Sequence, residues 1–271
     1  MTTDAILLEA DTVERLLGKP EVLIVDLSKP ETHQQLHIPG AMSLDYALLV
    51  DGNKPAPGLL PSEAHLAALA GQLQLDRQPH IIAYDDEGSG RAARLVWTLH
   101  YLGYQNASVL NGGLHAWHNE GHPVSHSPSP ATESRAISLG ETDGSVLADS
   151  DYIVQHLADD EVRLLDARSP EEYRGEKVFA ARGGHIPGAR NLNWQETLDT
   201  DRNLRLKPRD TLLAMLEQRG ITPEREVVTY CQTHHRSAHA WWMLKSLGFS
   251  KVRGYAGSWS QWGNDPNLPI E

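Results

Sequence analysis

The 271-residue chain has one thiol, Cys231. It stands in the run Val227-Val228-Thr229-Tyr230-Cys231-Gln232-Thr233-His234-His235-Arg236-Ser237, ahead of a helical pattern over 238–247. The residues before Cys231 read as a buried strand, and those after Ser237 as a helix. A short loop between a strand and a helix N-terminus cradles anions, because its N–H groups converge and the helix dipole favours negative charge there. A sulfur at that point is expected as a thiolate. A free thiol with a pKa of ~8.5 is a few per cent ionised at pH 7, and lowering it by two units takes ~2.7 kcal/mol. A helix N-terminus contributes ~0.3–1 kcal/mol and each hydrogen bond to a charged group ~1.5–3 kcal/mol. One or two loop amides therefore suffice, and Arg236 adds a fixed positive charge. In other surroundings a lone cysteine reads as a small buried hydrophobe. Here the context predicts a nucleophile, with Gln232, Thr233, His234, His235 and Arg236 binding an anionic substrate and Ser237 in support.

One cysteine excludes an intramolecular disulfide and any cysteine-cluster metal or iron–sulfur centre. A reducing, cytoplasmic setting is expected. The start of the chain has no basic region ahead of an apolar stretch, so no secretion signal is expected. With 40% hydrophobic and 22% charged residues, the composition is that of a soluble globular protein. The net charge of −12 argues against nucleic-acid or anionic-membrane partners. Residues 1–124 hold 15 acids and 7 bases, residues 125–271 hold 21 and 17. If the protein handles a small anion, it should do so in the half that carries Cys231. The 14 histidines show no metal-ligand spacing, His33, His37, His122 and His126 included, so no metal is expected.

The loop needs a frame, and the sequence supplies it twice. VLIVD at 22–26 matches VRLLD at 162–166, HIPGA at 37–41 recurs at 185–189, and IIAY at 81–84 matches VVTY at 227–230. LGY at 102–104 matches LGF at 247–249, and Trp97 and Trp117 match Trp242 and Trp262. Landmarks recurring in order at this spacing mean two copies of one domain. The expected division is residues 1–124, a linker over 125–144 rich in Ser, Pro, Thr and Glu, and residues 145–271. Residues 135–139 could pack on a domain surface. Within each copy, short apolar runs alternate with helical patterns, including helices opened by Asp11 and Asp151 as caps and helices over 61–72 and 209–219. This predicts an α/β fold: two tandem domains, each a mainly parallel sheet with helices on both faces and its site at the carboxyl ends of the strands. Aligning Arg91 with Arg236 sets Asp85 opposite Cys231. The first copy, Asp85-Asp86-Glu87-Gly88-Ser89-Gly90-Arg91, has no thiol and three acids where an anion would sit. It is expected to be silent and to wall the active cleft.

Together these features resemble the rhodanese family of sulfurtransferases in its tandem-domain form. The resemblance rests on both HIPGA segments, on Asp166-Ala167-Arg168 with Glu172-Tyr173, on the six-residue loop opened by Cys231, and on VRGYAGSW at 252–259. It implies two rhodanese domains, the second active, with a persulfide intermediate on Cys231 and no cofactor. It implies transfer of a sulfane sulfur from a small anionic donor such as thiosulfate to cyanide or a thiol. An iron–sulfur or thioredoxin-type protein is a further partner it suggests. The loop departs from the family's familiar versions: it reads C-Q-T-H-H-R where vertebrate thiosulfate enzymes resemble C-R-K-G-V-T and mercaptopyruvate enzymes C-G-S-G-V-T. Glu172 stands where vertebrate thiosulfate enzymes have a substrate-binding Arg, and Gln261 where a Glu is usual.

Asp166 and Arg168 follow a strand end, either positioning the loop or forming a structural salt bridge. Trp194 falls where the family has a hydrophobic residue beside the cleft. His37 and His185 are expected as turn residues, and the four repeated tryptophans as core. Rival readings are a 3-mercaptopyruvate sulfurtransferase, a persulfide carrier that docks a partner protein without turnover, and a cysteine phosphatase. The last suits C-x5-R, whereas four residues separate Cys231 from Arg236. Two fused copies form an internal pseudo-dimer, so a monomer is the expectation.

Overall fold

The computed structural model describes residues 5–128 and 135–271. Its backbone is set by short runs rich in Val, Ile and Leu, which fit buried parallel strands. In the first repeat these are β1 (Leu7–Leu8), β2 (Val22–Asp26), β3 (Met42–Ser43), β4 (His80–Tyr84) and β5 (Ala107–Leu110). They form one sheet in the order β1-β5-β4-β2-β3, with every pairing parallel. The second repeat supplies β6 (Leu147–Ala148), β7 (Val162–Asp166), β8 (Arg190–Asn191), a short ladder of β9 (Leu198–Asp199) with β10 (Arg205–Leu206), then β11 (Glu226–Tyr230) and β12 (Val252–Tyr255). Its sheet has the matching order β6-β12-β11-β7-β8, again all parallel. Register repeats too: Asp26 pairs with Tyr84, and Asp166 with Tyr230.

Parallel strands need crossovers, and helices provide them. They are α1 (Ala10–Glu14), α2 (Pro30–Gln35), α3 (Glu63–Gln72), α4 (Gly90–Tyr101) and α5 (Gly113–Asn119), then α6 (Ser150–Gln155), α7 (Pro170–Tyr173), α8 (Arg209–Glu217), α9 (Arg236–Ser246) and α10 (Ser258–Trp262). Two helix starts lie earlier than expected. Asp11 and Asp151 sit in the first turns of α1 and α6, with Glu9 and Asp149 at the caps. Only Asp149 caps with its side chain, accepting from the Tyr152 amide at 2.7 Å.

Chain order and compact units do not coincide. One unit comprises residues 1–49, 61–143 and 199–206; the other comprises 50–60, 144–198 and 207–271. Residues 50–60 of the first repeat thus belong to the unit that carries Cys231. Of the segment expected as a linker, 129–134 lie outside the described residues. Ser125 forms an antiparallel bridge with His37, Ile137 N–H donates to Ala67, and Asp143 N–H donates to Tyr101. The described parts of that segment up to Asp143 therefore pack on the first unit, and Gly144 belongs to the second.

The repeated motifs do repeated work. His37 Nδ1 bonds the His33 carbonyl and His185 Nδ1 the Tyr173 carbonyl, fixing both HIPGA turns. Trp117 and Trp262 are fully buried and donate to the carbonyls of Pro123 and Pro269. No helix among the described residues is long and apolar enough to cross a membrane.

The repeats differ at the end of β2 and β7. Asp26 is held by His33 Nδ1 and the Tyr84 hydroxyl, each at 2.6 Å. Asp166 is instead gripped by Arg168, whose Nε and Nη2 lie 2.6–3.0 Å from its oxygens. Arg168 also donates to the Gly184 carbonyl at 2.8 Å and stacks 4.5 Å over Trp259. Both partners are buried, so the pair cross-links β7, the segment before HIPGA and α10. Arg168→Ala would strand the Asp166 charge, and we expect it to destabilise folding by about 3–5 kcal/mol. Urea denaturation of the intact chain measures this, with a loss below about 1 kcal/mol refuting the cross-link.

Candidate active site

Cys231 follows directly on Tyr230, the last residue of β11, and α9 begins five residues later at Arg236. The loop between them is held by α10. Trp259 N–H donates to the Cys231 carbonyl at 2.9 Å, and Ser260 N–H to the Gln232 carbonyl at 3.0 Å. The Ser258 hydroxyl accepts from the amides of Cys231 (3.3 Å) and His234 (3.1 Å) and donates to the Tyr255 carbonyl (2.7 Å). These bonds aim the remaining loop amides inward. The amides of Ser237 and Thr233 bond the Cys231 sulfur, and the Ser237 hydroxyl lies 3.4 Å from it. Cys231 is 1% exposed. Burial pushes its thiol up; the Arg236 charge, the Ser237 hydroxyl and the two amides outweigh that, and the thiol lies below its ordinary value.

Arg236 and His234 differ from the expectation that they face the donor. Nη1 and Nη2 of Arg236 form a two-pronged pair with Glu172 at 2.6 and 2.8 Å. Glu172 is 3% exposed and also closes the capping box of α7 with Ser169. Burial raises its carboxyl, the Arg236 bonds and charge lower it, and the net position is below the ordinary carboxylate value. A buried carboxylate facing an arginine fork makes this pairing the favoured one. The His234 side chain is fully buried, with Nδ1 2.7 Å from the Ser237 hydroxyl. Its φ of +52° turns the loop, as a glycine would.

The other expected residues surround this centre. Gln232 Nε2 donates to the Phe179 carbonyl at 3.2 Å. The Thr233 carbonyl is met by Gly58, where an added Cβ would lie 2.2 Å from the oxygen. Trp194 is half-buried and meets His235 and His239 edge-on at 5.9 and 5.4 Å. Asp166 and Arg168 engage each other, behind the loop. Sequence reasoning missed Ser258 and Gly58. Ser258 lies inside the VRGYAGSW motif, so the signal for it was present; no local pattern marks Gly58.

The first repeat builds the same cradle around another anion. The Asp85 carboxylate accepts from the amides of Glu87, Ser89, Arg91 and Ala92 at 2.8–3.0 Å. Leu114 N–H donates to the Asp85 carbonyl at 2.9 Å, as Trp259 does to Cys231. Asp85 is fully buried. Burial and Glu87 raise its pKa against the pull of the amides. The place a sulfur would need is filled.

Three comparisons bear on this geometry. A family model described as a rhodanese-like domain matches residues 9–120 and again 149–265. A thiosulfate sulfurtransferase of Azotobacter vinelandii is 43% identical over 267 residues, covering 98% of this chain and 97% of that one. One from Pseudomonas aeruginosa is 40% identical with the same coverage. A sulfur carrier protein, TtuD, of Thermus thermophilus is 32% identical, covering 98% of this chain and 96% of its own. Among solved structures, wild-type EanB superposes with a TM-score of 0.84 at 22% identity, covering 98% of this chain and 69% of that one; the likeness is one of fold.

Two outcomes follow from the geometry. Gly58→Ala must displace the Thr233 carbonyl, and we expect a loss of about 1–3 kcal/mol in stability with a broadened thiolate titration. An unchanged melting curve and titration would sink that packing. Arg236→Ala removes the nearest cation and leaves Glu172 unpaired, so the Cys231 pKa should rise by about 1–3 units. The thiolate absorbance of the variant would then appear at higher pH than that of the wild type; coincident curves would refute the Coulombic role.

Proposed function

The chain belongs to the rhodanese family, and on that footing we propose that it is a thiosulfate sulfurtransferase working through a persulfide on Cys231. The observation that carries this is a buried thiol set between the end of β11 and the start of α9, with the Ser237 hydroxyl 3.4 Å from its sulfur. Relatives covering nearly the whole chain are named thiosulfate sulfurtransferases. In loading, the Cys231 thiolate attacks the outer sulfur of thiosulfate, the bond between the two sulfurs of the donor breaks, and sulfite leaves with the electron pair. In discharge, a thiophile such as cyanide or a thiolate attacks the terminal sulfur of the persulfide, and Cys231 departs as thiolate. Two chemical half-reactions on one side chain give ping-pong kinetics.

The cradle suits both anions, because amides that stabilise a thiolate also stabilise a persulfide. Arg236 contributes its charge to the sulfur while its outer nitrogens bind Glu172, so the donor's sulfonate falls to the loop amides and to His235 and Gln232 at the rim. No other thiol exists to resolve the persulfide as an internal disulfide, so the sulfur leaves to an external acceptor. A reducing compartment such as the cytoplasm belongs to the same reading. The donor 3-mercaptopyruvate remains the alternative within it, and the ratio of kcat/KM for the two donors decides between them.

A carrier role is favoured by one feature. Val178 and Phe179 are exposed at 49% and 56%, and the Phe179 backbone is tied to Gln232, next to the nucleophile. An apolar rim of this kind suits a protein acceptor better than cyanide, and one relative is named a sulfur carrier protein.

Intact mass after incubation with thiosulfate tests the core of the proposal. The expected result is a gain of one sulfur atom, removed by cyanide as thiocyanate and absent from Cys231→Ser. Thiocyanate formation by the Ser variant at the wild-type rate would overturn it.

A further inference from the structure

We infer that Ser237 is a catalytic hydrogen-bond donor to the departing Cys231 sulfur, held in that role by His234. The inference rests on the persulfide reading above. Ser237 Oγ lies 3.4 Å from Cys231 Sγ, and His234 Nδ1 lies 2.7 Å from the same Oγ. Both side chains are fully buried. A hydroxyl has one proton to give. When that proton points at sulfur, the proton in the 2.7 Å contact must come from Nδ1, so the imidazole donates to Ser237 and leaves the hydroxyl free for Sγ. Thr229 Oγ1 fixes the Ser237 main chain from the strand side, donating to its carbonyl at 3.0 Å.

The first repeat is an internal control. Counting from the matched pair Arg91 and Arg236, Ala92 stands in the place of Ser237 and Ser89 in the place of His234. The Ala92 amide still bonds the buried anion, at 3.0 Å from Asp85. The amides are thus common to both loops, while the hydroxyl and the imidazole occur only where the anion is a reacting sulfur. The helix can begin without them, so their role is not to build the turn.

The two half-reactions move charge in opposite directions. In discharge, the acceptor's lone pair bonds to the terminal sulfur and the bond between the two sulfurs breaks. Its electron pair stays on Sγ, and the charge of the terminal sulfur leaves with the product. Negative charge grows on Sγ, so the Ser237 bond is stronger in the transition state than before it and lowers the barrier. In loading, Sγ gives up its charge to the new bond, and the same hydrogen bond weakens along the way. Once the thiol is fully ionised, Ser237 brings no gain to that step.

Single-turnover kinetics on the full chain separate these cases. Wild type and Ser237→Ala are loaded with thiosulfate, freed of donor and mixed with excess cyanide, and thiocyanate release is followed. Loading is timed separately, above the pH at which each thiol is fully ionised. We expect discharge to be slower by about tenfold or more in Ser237→Ala, loading to be unchanged or faster, and Ser237→Thr to restore discharge. His234→Asn, which tolerates the left-handed backbone, should show the same split at smaller size. Unchanged discharge in Ser237→Ala, or an equal slowing of both half-reactions, would overturn the role of Ser237. Failure of the wild type to gain sulfur on Cys231 would overturn the persulfide reading itself.

Discussion

Taking the charged form of an acid out of water costs several kcal/mol even after the surroundings relax, yet both halves of this chain bury an acid at the same point. In the first it is the Asp85 carboxylate; in the second, the Cys231 sulfur. Each stands immediately after the central strand of its sheet and before the helix that follows, where unpaired helix N–H groups converge. Much else is dictated by that requirement. The strand must be parallel to its neighbours so that its carboxyl end opens on the helix. The main-chain carbonyl of the anionic residue must be turned away and satisfied elsewhere, and Leu114 and Trp259 do so with 2.9 Å bonds in the two repeats. The helix after the neighbouring strand, α5 or α10, therefore reaches back to the loop in both copies.

Left-handed backbone recurs at two matched places beside the buried group, and the repeats fill them differently. The first uses Ser89 (φ +73°) and Gly113 (φ +52°); the second uses His234 (φ +52°) and Ser258 (φ +50°). Gly113 adopts that conformation freely, whereas a side chain there costs of order 1 kcal/mol. The second repeat offsets the strain with bonds the first lacks, since the Ser258 hydroxyl accepts two loop amides. A glycine at 258 would relax the backbone and release the loop. The active copy thus trades backbone comfort for side-chain groups near sulfur, as strained functional sites commonly do.

The frame was legible because it follows periodicity and repetition. Apolar runs at 22–26, 81–84, 162–166 and 227–230 became the inner strands, and the duplicated HIPGA segments became matching turns. The placement of Cys231 between strand and helix was legible for the same reason, since those elements are local. Pairings between distant residues were not. Glu172 and Arg236 are 64 residues apart, and only the fold brings the carboxylate to the fork. Gly58 lies still further from Thr233, on a segment that belongs to the second unit although it is encoded in the first repeat. A histidine at a turn position that glycine would suit looks like a ligand in the sequence; the turn sends its ring inward to Ser237.

The pairing of Arg236 with Glu172 explains how the site keeps a reactive sulfur. A thiol whose pKa is driven far down is fully ionised but a poorer nucleophile, because nucleophilicity falls with basicity. An unopposed arginine acts over long range and would also hold any dianion, the departing sulfite included. Countering it with Glu172 shortens the reach of that charge, so Arg236 acts on the adjacent sulfur together with two amides and one hydroxyl in contact with it. Such neutral donors act on the sulfur that touches them and fade quickly with distance. The thiol stays below its ordinary value, and the strength of the hold on Sγ can change as charge moves on and off it.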